Sequence, residues 1–179
     1  MRLRERPVPI KRMALLGGES SGKTTLARAL AAQLQTVWVP EYGRELWESV
    51  RRTLTVDELV QVARRQVQLE ERAAALATGW LVCDTTPLTT LQYCLHDHAT
   101  APAALTALAQ RHYDLTVVCE PDFEFVQDGA RRDDAFRAEQ HAWTLARLAE
   151  RGVAWLAVCG PLAARVERVI ENITTEMRA

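Results

Sequence analysis

The 179-residue sequence predicts a single α/β domain, a doubly wound parallel sheet of five strands with helices on both faces. Short runs of apolar and β-branched residues alternate with longer stretches in which apolar residues recur at helical spacing. A glycine-rich turn joins the first apolar run to the first helical stretch, and acidic residues end two of the apolar runs. Such alternation is typical of sheets that bind ligands at the carboxyl ends of their strands.

The predicted strands are the short apolar runs, each followed by a helical stretch. They are RMALLGG from Arg12, TVWVPEYG from Thr36, WLVCDTTP from Trp80, YDLTVVCEPD from Tyr113 and VAWLAVCG from Val153. Helices are expected over residues 22–35, 54–79, 88–96 and 102–111, in a stretch ending near Gly152, and over 161–173. Thr55 and Glu58 have the spacing of a capping box, and Gly79 stands just past the expected end of that helix. No linker divides the chain, so residues 12–179 are expected to form one domain.

Composition excludes several functional classes. The formal net charge of −1 gives no general attraction to nucleic acid or to a membrane surface. No apolar run approaches the ~20 residues of a membrane span. The cysteines show neither CxxC pairing nor zinc spacing, so we expect reduced, buried thiols in a cytoplasmic protein. Residues 1–11 form a basic N-terminal arm, which is either solvated or a docking element for a partner. The oligomeric state stays open.

The glycine-rich turn fits the pattern G-x-x-x-x-G-K-[ST], followed by one more threonine. Its residues are Gly17, Gly18, Glu19, Ser20, Ser21, Gly22, Lys23, Thr24 and Thr25. The glycines allow the backbone N–H groups to approach phosphate at the start of a helix. Lys23 adds a positive charge for the outer phosphates, and the Thr24 hydroxyl can bind Mg²⁺. The turn therefore predicts a site for a nucleoside triphosphate and Mg²⁺, and the choice between ATP and GTP stays open.

Two acidic residues stand where neighbouring strands are predicted to end. Asp84 ends the third strand and is expected to hold Mg²⁺, directly or through water. The alternative is that Asp84 caps a helix beginning near residue 86. Glu41 ends the second strand, where its carboxylate could accept a proton from an acceptor hydroxyl as general base. The alternative for Glu41 is a salt bridge with Arg44.

An arginine-bearing segment follows the fourth strand. It contains a turn signal, Asp128-Gly129, and the arginines Arg131, Arg132 and Arg137. Arginines in a mobile segment at this edge can close over phosphates and stabilise the charge that is transferred. The alternative is a solvated helix N-terminus that is capped by Asp133 or Asp134.

Three aromatic residues are candidates for stacking on a substrate ring: Trp47, Tyr93 and Tyr42. The alternative for each is simple packing in the core. The run His96-Asp97-His98 has the residue types of a metal cluster, but no third ligand lies near it in the sequence, and a polar loop is the expected setting.

Four segments resemble, in order, the ribosylnicotinamide kinase domain of NadR-type proteins and the wider set of P-loop ATPases similar to it. They are GGESSGKTTL, EYGREL, DTTPLTTLQYC and YDLTVVCEPDFEFVQDGARR, within a resemblance that runs from about residue 12 to 173. It implies a nucleoside-monophosphate-kinase-like fold with a short lid. It also implies binding of ATP·Mg²⁺ and phosphorylation of the 5′-hydroxyl of nicotinamide riboside, giving nicotinamide mononucleotide.

Residue by residue, the resemblance places Gly17 to Thr25 on ATP and Asp84 by the metal. It places Glu41 and Arg44 beside the substrate. Asp128, Gly129 and Arg131 fall in the lid, and we expect Arg131 and Arg132 to close over the transferred phosphoryl group. Catalytic roles thus fall on Lys23, Glu41, Asp84, Arg131 and Arg132.

The sequence departs from the family at one informative position and in length. Pro40 stands where the family kinases carry a tryptophan suited to stacking on the pyridinium ring. A kinase for another nucleoside or metabolite therefore stays open, as does a regulatory ATPase module that docks through the basic arm. No second nucleotide motif is present, so adenylyl transfer is not expected.

Overall fold

A computed structural model describes residues 9–127 and 132–176. Its five strands form one parallel sheet in the order β2-β3-β1-β4-β5. The strands are β1 (Lys11–Leu16), β2 (Trp38–Val39), β3 (Trp80–Asp84), β4 (Leu115–Cys119) and β5 (Leu156–Val158). The predicted doubly wound fold is confirmed, and the strand that precedes the glycine-rich turn lies at the centre of the sheet.

Seven helices occur in the described part of the chain. They are α1 (Lys23–Gln33), α2 (Tyr42–Val50), α3 (Val56–Ala74), α4 (Pro87–His98), α5 (Ala103–Ala109), α6 (Asp134–Glu150) and α7 (Leu162–Glu176). The predicted capping box of α3 is present, with the Thr55 side chain and the Glu58 side chain each bonded to the other's backbone N–H. This helix ends at Ala74, five residues before Gly79.

The core has two faces because β1 alternates its side chains. Met13 and Leu15 are buried against α1 and α7, in a cluster that reaches Val169. Leu16 faces the opposite side, where α3 to α6 supply a second cluster that includes Leu59. Burial on both faces explains why the strand sequences are continuously apolar. The sheet therefore fixes the ends of β1 and β3 side by side.

Helix α2 was missed by the sequence prediction. It is only nine residues long, contains Gly43, and its N-cap residue Glu41 makes no capping hydrogen bond, so the usual start signal is weak. One signal was available. Tyr42, Leu46 and Val50 lie four residues apart and pack together against the second cluster.

The two ends of the predicted domain also differ from expectation. β1 begins at Lys11, whose backbone N–H donates to Gly79 O at 2.9 Å, so the expected arm overlaps the sheet by one residue. Residues 1–8 lie outside the described part. Cys159 was expected to be buried but is exposed, because it follows the edge strand β5, whereas Cys83, Cys94 and Cys119 are buried. No described helix is long and apolar enough to cross a membrane.

Candidate active site

The glycine-rich turn connects β1 to α1 as a tight loop. Gly17 has φ +137°, and a Cβ there would come within 2.6 Å of the Cys119 carbonyl oxygen in β4. Gly22, the N-cap of α1, has φ +82° and no side chain to cap the helix. The first N–H groups of α1 therefore have no side-chain cap and form the positive end of a helix. This arrangement is suited to phosphate.

The Lys23 side chain folds back over this loop. Its Nζ donates to the Gly17 carbonyl at 2.9 Å and to the Gly18 carbonyl at 2.8 Å. These bonds hold the ammonium group inside the loop, at the place where the sequence predicts the outer phosphates. A bound phosphate would compete with two neutral carbonyls for this charge and would make the stronger, charge-assisted bonds.

Asp84 ends β3 beside the loop, because Leu15 of β1 and Asp84 are paired in the sheet. Thr24 Oγ1 donates to Asp84 Oδ2 at 2.5 Å, while the buried Oδ1 has no partner among the described residues. Burial raises the pKa of Asp84, and the Thr24 hydrogen bond and the Lys23 charge oppose that rise. The alternative role of Asp84 as a helix cap is wrong, since the Thr86 side chain caps α4.

A hydroxyl and a carboxylate at adjacent strand ends provide the oxygen ligands that Mg²⁺ prefers. The unpartnered Oδ1 of Asp84 supports the same assignment, because a buried carboxylate oxygen without a partner is costly. Thr24 and Asp84 therefore fit the predicted metal site. In the described part of the chain no group of three or more His, Cys, Asp or Glu residues could hold a metal ion by itself, so the run from His96 to His98 makes no such site.

Thr85 is a candidate functional residue that sequence reasoning missed. It has φ +72°, a left-handed conformation that is strained for a β-branched side chain. Its hydroxyl is buried without a partner among the described residues, and the residue lines the cavity described below. The sequence held no signal for this strain, because a threonine after Asp84 reads simply as the end of a strand.

Glu41 is the N-cap residue of α2, yet its carboxylate makes no capping bond and instead lines a cavity in front of the loop. Burial is the largest influence on the pKa of Glu41 and raises it. Lys23 and Arg44 lower this pKa, while Asp84 and Glu19 raise it, so the carboxylate lies within the field of the loop. Arg44 also forms an ion pair with Glu48 at 4.0 Å.

The cavity has a volume of about 520 Å³, within the range of small-molecule sites. It brings together twelve of the predicted site residues: Glu19, Ser20, Ser21, Gly22, Lys23, Thr24, Thr25, Glu41, Arg44, Trp47, Tyr93 and Arg132. Glu41, Arg44 and Trp47 lie three residues apart on one face of α2. Helix α3 and the segment before it contribute both apolar and polar residues to the cavity: Arg52, Thr53, Leu54, Leu59, Val62 and Gln66.

Of the predicted site residues that the structure describes, four do not line this cavity. Gly17 and Gly18 lie behind it and supply the carbonyls that bind Lys23. Asp84 lies beneath Thr24. The Tyr42 ring packs against the second core cluster, so the structure favours the packing role that the sequence left open for it.

Glu19, inside the glycine-rich loop, ties three parts of the site together. Its carboxylate accepts from the Tyr93 hydroxyl at 2.8 Å and from the Arg132 backbone N–H at 2.7 Å. Its own N–H donates to Gln140 Oε1 at 2.8 Å. The Arg132 guanidinium in turn forms an ion pair with Asp97 at 2.5 Å. We call Glu19, Tyr93, Arg132 and Asp97 the clasp.

The arginine-bearing segment is only partly described. Asp128, Gly129 and Arg131, which were predicted in the lid, lie outside the described residues. Asp133 caps α6 by accepting from the Phe136 N–H at 2.7 Å, which confirms the capping alternative at that position. Arg137 is buried and donates to the Phe123 carbonyl at 2.8 Å, so it holds a loop in place and is no part of a lid.

The fold and the loop define a P-loop nucleotide-binding protein, because the lysine, the hydroxyl–carboxylate pair and the cavity meet at the carboxyl edge of the sheet around the central strand. The chain belongs to the AAA_28 family, described as an AAA domain, which matches residues 12–165.

Curated relatives include the trifunctional NAD biosynthesis/regulator proteins NadR of Salmonella typhimurium and Escherichia coli. They are 29% and 30% identical to this chain over 131 and 134 residues, which cover 70% of this chain in each case. The chain spans about a third of the length of these relatives, since the matches cover 32% of each.

Solved structures show the same fold. A NadR protein in complex with NR has a TM-score of 0.73 at 24% identity and covers 91% of this chain and 51% of its own. A NadR protein with NAD and AMP-PNP has a TM-score of 0.71 at 21% identity and covers 91% and 49%. A thymidylate kinase from Ehrlichia chaffeensis has a TM-score of 0.65 at 16% identity and covers 93% and 100%.

Proposed function

We propose that this chain is an ATP-dependent kinase that phosphorylates the 5′-hydroxyl of nicotinamide riboside and releases nicotinamide mononucleotide. One observation carries the proposal. A single cavity is bounded on one side by the phosphate-binding loop and on the other by the Glu41 carboxylate. A phosphoryl donor and an acceptor hydroxyl can therefore meet in it. The curated NadR relatives and the NadR complex with NR support the choice of acceptor.

At the donor end, Lys23 and the N–H groups of the loop and of α1 bind the phosphates of ATP. Thr24 and Asp84 are the residues that would hold Mg²⁺, which supplies positive charge to the phosphates when it is bound. The ammonium of Lys23 already lies at the loop, so it binds the phosphates by exchanging its bonds to two neutral carbonyls for stronger, charge-assisted ones.

At the acceptor end, Glu41 accepts the proton of the 5′-hydroxyl as that oxygen attacks the terminal phosphorus. A general base works best when its pKa lies near the working pH, and burial raises the pKa of Glu41 in that direction. Arg44 and Trp47 lie on the same face of α2 and contact the acceptor. The face of the Trp47 ring suits a cationic pyridinium ring. It can take the place of the tryptophan that the family kinases carry at the position of Pro40.

The lid residues complete the proposal. We assign Arg131 and Arg132 to the transferred phosphoryl group. Arg132 lines the cavity, where its ion pair with Asp97 holds its guanidinium group. Closure over the phosphates would exclude water and so favour transfer over hydrolysis.

The free thiols of all four cysteines support a reducing, cytoplasmic setting.

The test measures ADP release by the purified protein with Mg²⁺·ATP, alone and with nicotinamide riboside, and identifies the product by mass spectrometry. Strong stimulation with nicotinamide mononucleotide as product is the expected result. Stimulation by a different nucleoside alone would overturn the acceptor. Slow ADP release that no acceptor stimulates would overturn the kinase and favour a regulatory ATPase.

A further inference from the structure

Gln66 is a buried polar residue that α3 contributes to the cavity. It lies on α3, one turn beyond Val62, and only 2% of it is exposed. It lines the cavity together with Leu59 and Val62. A buried amide is costly unless its hydrogen-bonding groups have partners, so a glutamine at this position calls for a reason.

One of the two polar groups of the Gln66 amide has a hydrogen-bond partner. Its Oε1 accepts from the backbone N–H of Tyr42 at 3.1 Å, at the start of α2. This bond fixes which end of the amide is oxygen, because only oxygen can accept from an N–H group. The Nε2 group is consequently the free donor, and it has no partner among the described residues.

The position of this amide is tightly fixed. Helix α2 approaches α3 through Gly43, where a Cβ would lie 3.3 Å from Val62 Cγ1. The bond between Gln66 and Tyr42 therefore lies beside a close contact between the two helices. The same bond holds the first turn of α2, which carries Glu41 at its N-cap. A donor fixed before the ligand binds loses little entropy on binding.

We propose that Gln66 Nε2 donates a hydrogen bond to a carbonyl oxygen on the ring of the acceptor, which in nicotinamide riboside is the carboxamide oxygen. This inference rests on the proposed function and makes Gln66 a specificity-determining residue. Leu59 and Val62 line the cavity on the same helix as the amide and offer apolar surface suited to a flat ring. A polar group placed next to apolar side chains in a pocket sets the orientation of a bound ring.

The experiment compares nicotinamide riboside with pyridine riboside, a cation of nearly the same shape that lacks the carboxamide. The wild-type protein is expected to prefer nicotinamide riboside by about tenfold or more in kcat/KM, because pyridine riboside leaves the buried donor unpaired. In Gln66→Met this preference is expected to collapse towards one. Gln68→Met on the exposed side of the same helix is the matched control and should keep the wild-type ratio.

A second variant separates recognition from the support that Gln66 gives to α2. Gln66→Glu keeps an oxygen for the Tyr42 N–H but removes the free donor. Both ribosides are cations, so the added negative charge at pH 8 affects them alike and cancels in the ratio. The preference should collapse in this variant as well, and circular dichroism checks that the variant is folded.

Each outcome decides between the claims. A variant that loses activity equally on both ribosides, with the preference intact, overturns the carbonyl assignment and leaves Gln66 as a support for α2 or a ribose contact. A wild-type protein that phosphorylates neither riboside contradicts the proposed function, whatever the variants do. A wild-type protein that phosphorylates both equally contradicts only the role of Gln66.

Discussion

Buried carboxylates lie at both ends of the sheet, and their surroundings differ. At the amino end, Glu70 is 0% exposed and both of its oxygens have partners. Arg111 Nε donates to Oε2 at 2.8 Å, and the Tyr113 hydroxyl donates to Oε1 at 2.9 Å. At the carboxyl end, Asp84 is 1% exposed, but its Oδ1 has no partner among the described residues.

The pKa directions do not separate these two regions. Burial raises the pKa of Glu70 to about 7, and it also raises the pKa of Glu41 and Asp84. Hydrogen bonds do separate the two carboxylates, since both oxygens of Glu70 have protein partners, whereas Oδ1 of Asp84 has none among the described residues. A perturbed pKa therefore indicates burial, whereas an unpartnered polar atom beside a cavity indicates a ligand.

The largest expected effect concerns the phosphate-binding loop. Lys23→Ala should lower turnover by about 10³-fold, because it removes the charge placed where the transferred phosphate develops negative charge. The measurement is ADP release with acceptor. Lys11 is the only other lysine in the chain and lies at the start of β1, so Lys11→Ala is the matched control and should keep near wild-type turnover. Retained activity in Lys23→Ala would contradict the assignment of the loop.

The next effect concerns Glu41. Glu41→Gln should reduce transfer by about 10²-fold or more while ATP affinity stays nearly unchanged, as expected for the loss of a general base. Single-turnover kinetics and nucleotide titration separate the two quantities. Glu45→Gln, an exposed glutamate on the same helix, is the control. Weaker ATP binding with an unchanged rate would make Glu41 a nucleotide contact.

The pH profile sharpens this second test. Glu41 must be deprotonated to accept a proton, and its pKa is raised by burial, so kcat/KM should fall as the pH drops through a value above the ordinary glutamate pKa of about 4.3. This acid limb should be missing from the residual activity of Glu41→Gln. An acid limb of unchanged position in that variant would assign the base to Asp84.

Glu70 provides the contrasting prediction at the amino end. Its pKa is about 7 in the folded protein and about 4.3 when unfolded, so the folded state binds more protons between these values. The contribution of Glu70 to the free energy of unfolding is therefore fully present below about pH 4.3 and is lost as the pH rises through about 7. Relative to Glu70→Gln, the wild-type free energy of unfolding should fall by about 3 kcal/mol across this window.

Urea denaturation at several pH values measures this difference. Glu71→Gln is the control, since Arg111 lowers the pKa of that exposed carboxylate and the pH dependence should be small and of opposite sign. Turnover of Glu70→Gln should remain near wild type. A large loss of turnover without a change in stability would remove the distinction between the two ends.

The smallest effect tests the strain at the carboxyl end. At φ +72°, Thr85→Gly should be more stable than Thr85→Ala by about 1 kcal/mol, because an alanine Cβ is disfavoured in the left-handed region. At a position with the ordinary negative φ of a strand, the alanine variant would be more stable than the glycine variant. Urea midpoints of the two variants decide the sign, and the reverse order would show that position 85 is relaxed.

The sequence predicted those parts of the site that depend on local spacing. Gly17 to Thr25 follow from the motif, and Asp84 follows from a strand that ends at an acid. The clasp and Gln66 could not be predicted in this way. Arg132 was expected over the phosphoryl group, but its ion pair with Asp97 depends on how the end of α4 meets the start of α6. Such contacts come from packing between helices, which the order of residues along the chain does not state.

The central place of β1 has a consequence for how the protein is made. Its neighbours β3 and β4 follow much later in the chain, and Thr24 bonds to Asp84 across 60 residues. On the ribosome the phosphate-binding loop therefore emerges before the two strands that flank β1. Long-range pairing of this kind slows folding. The loop reaches its final surroundings only after Cys119 of β4, whose carbonyl lies against Gly17, has been added.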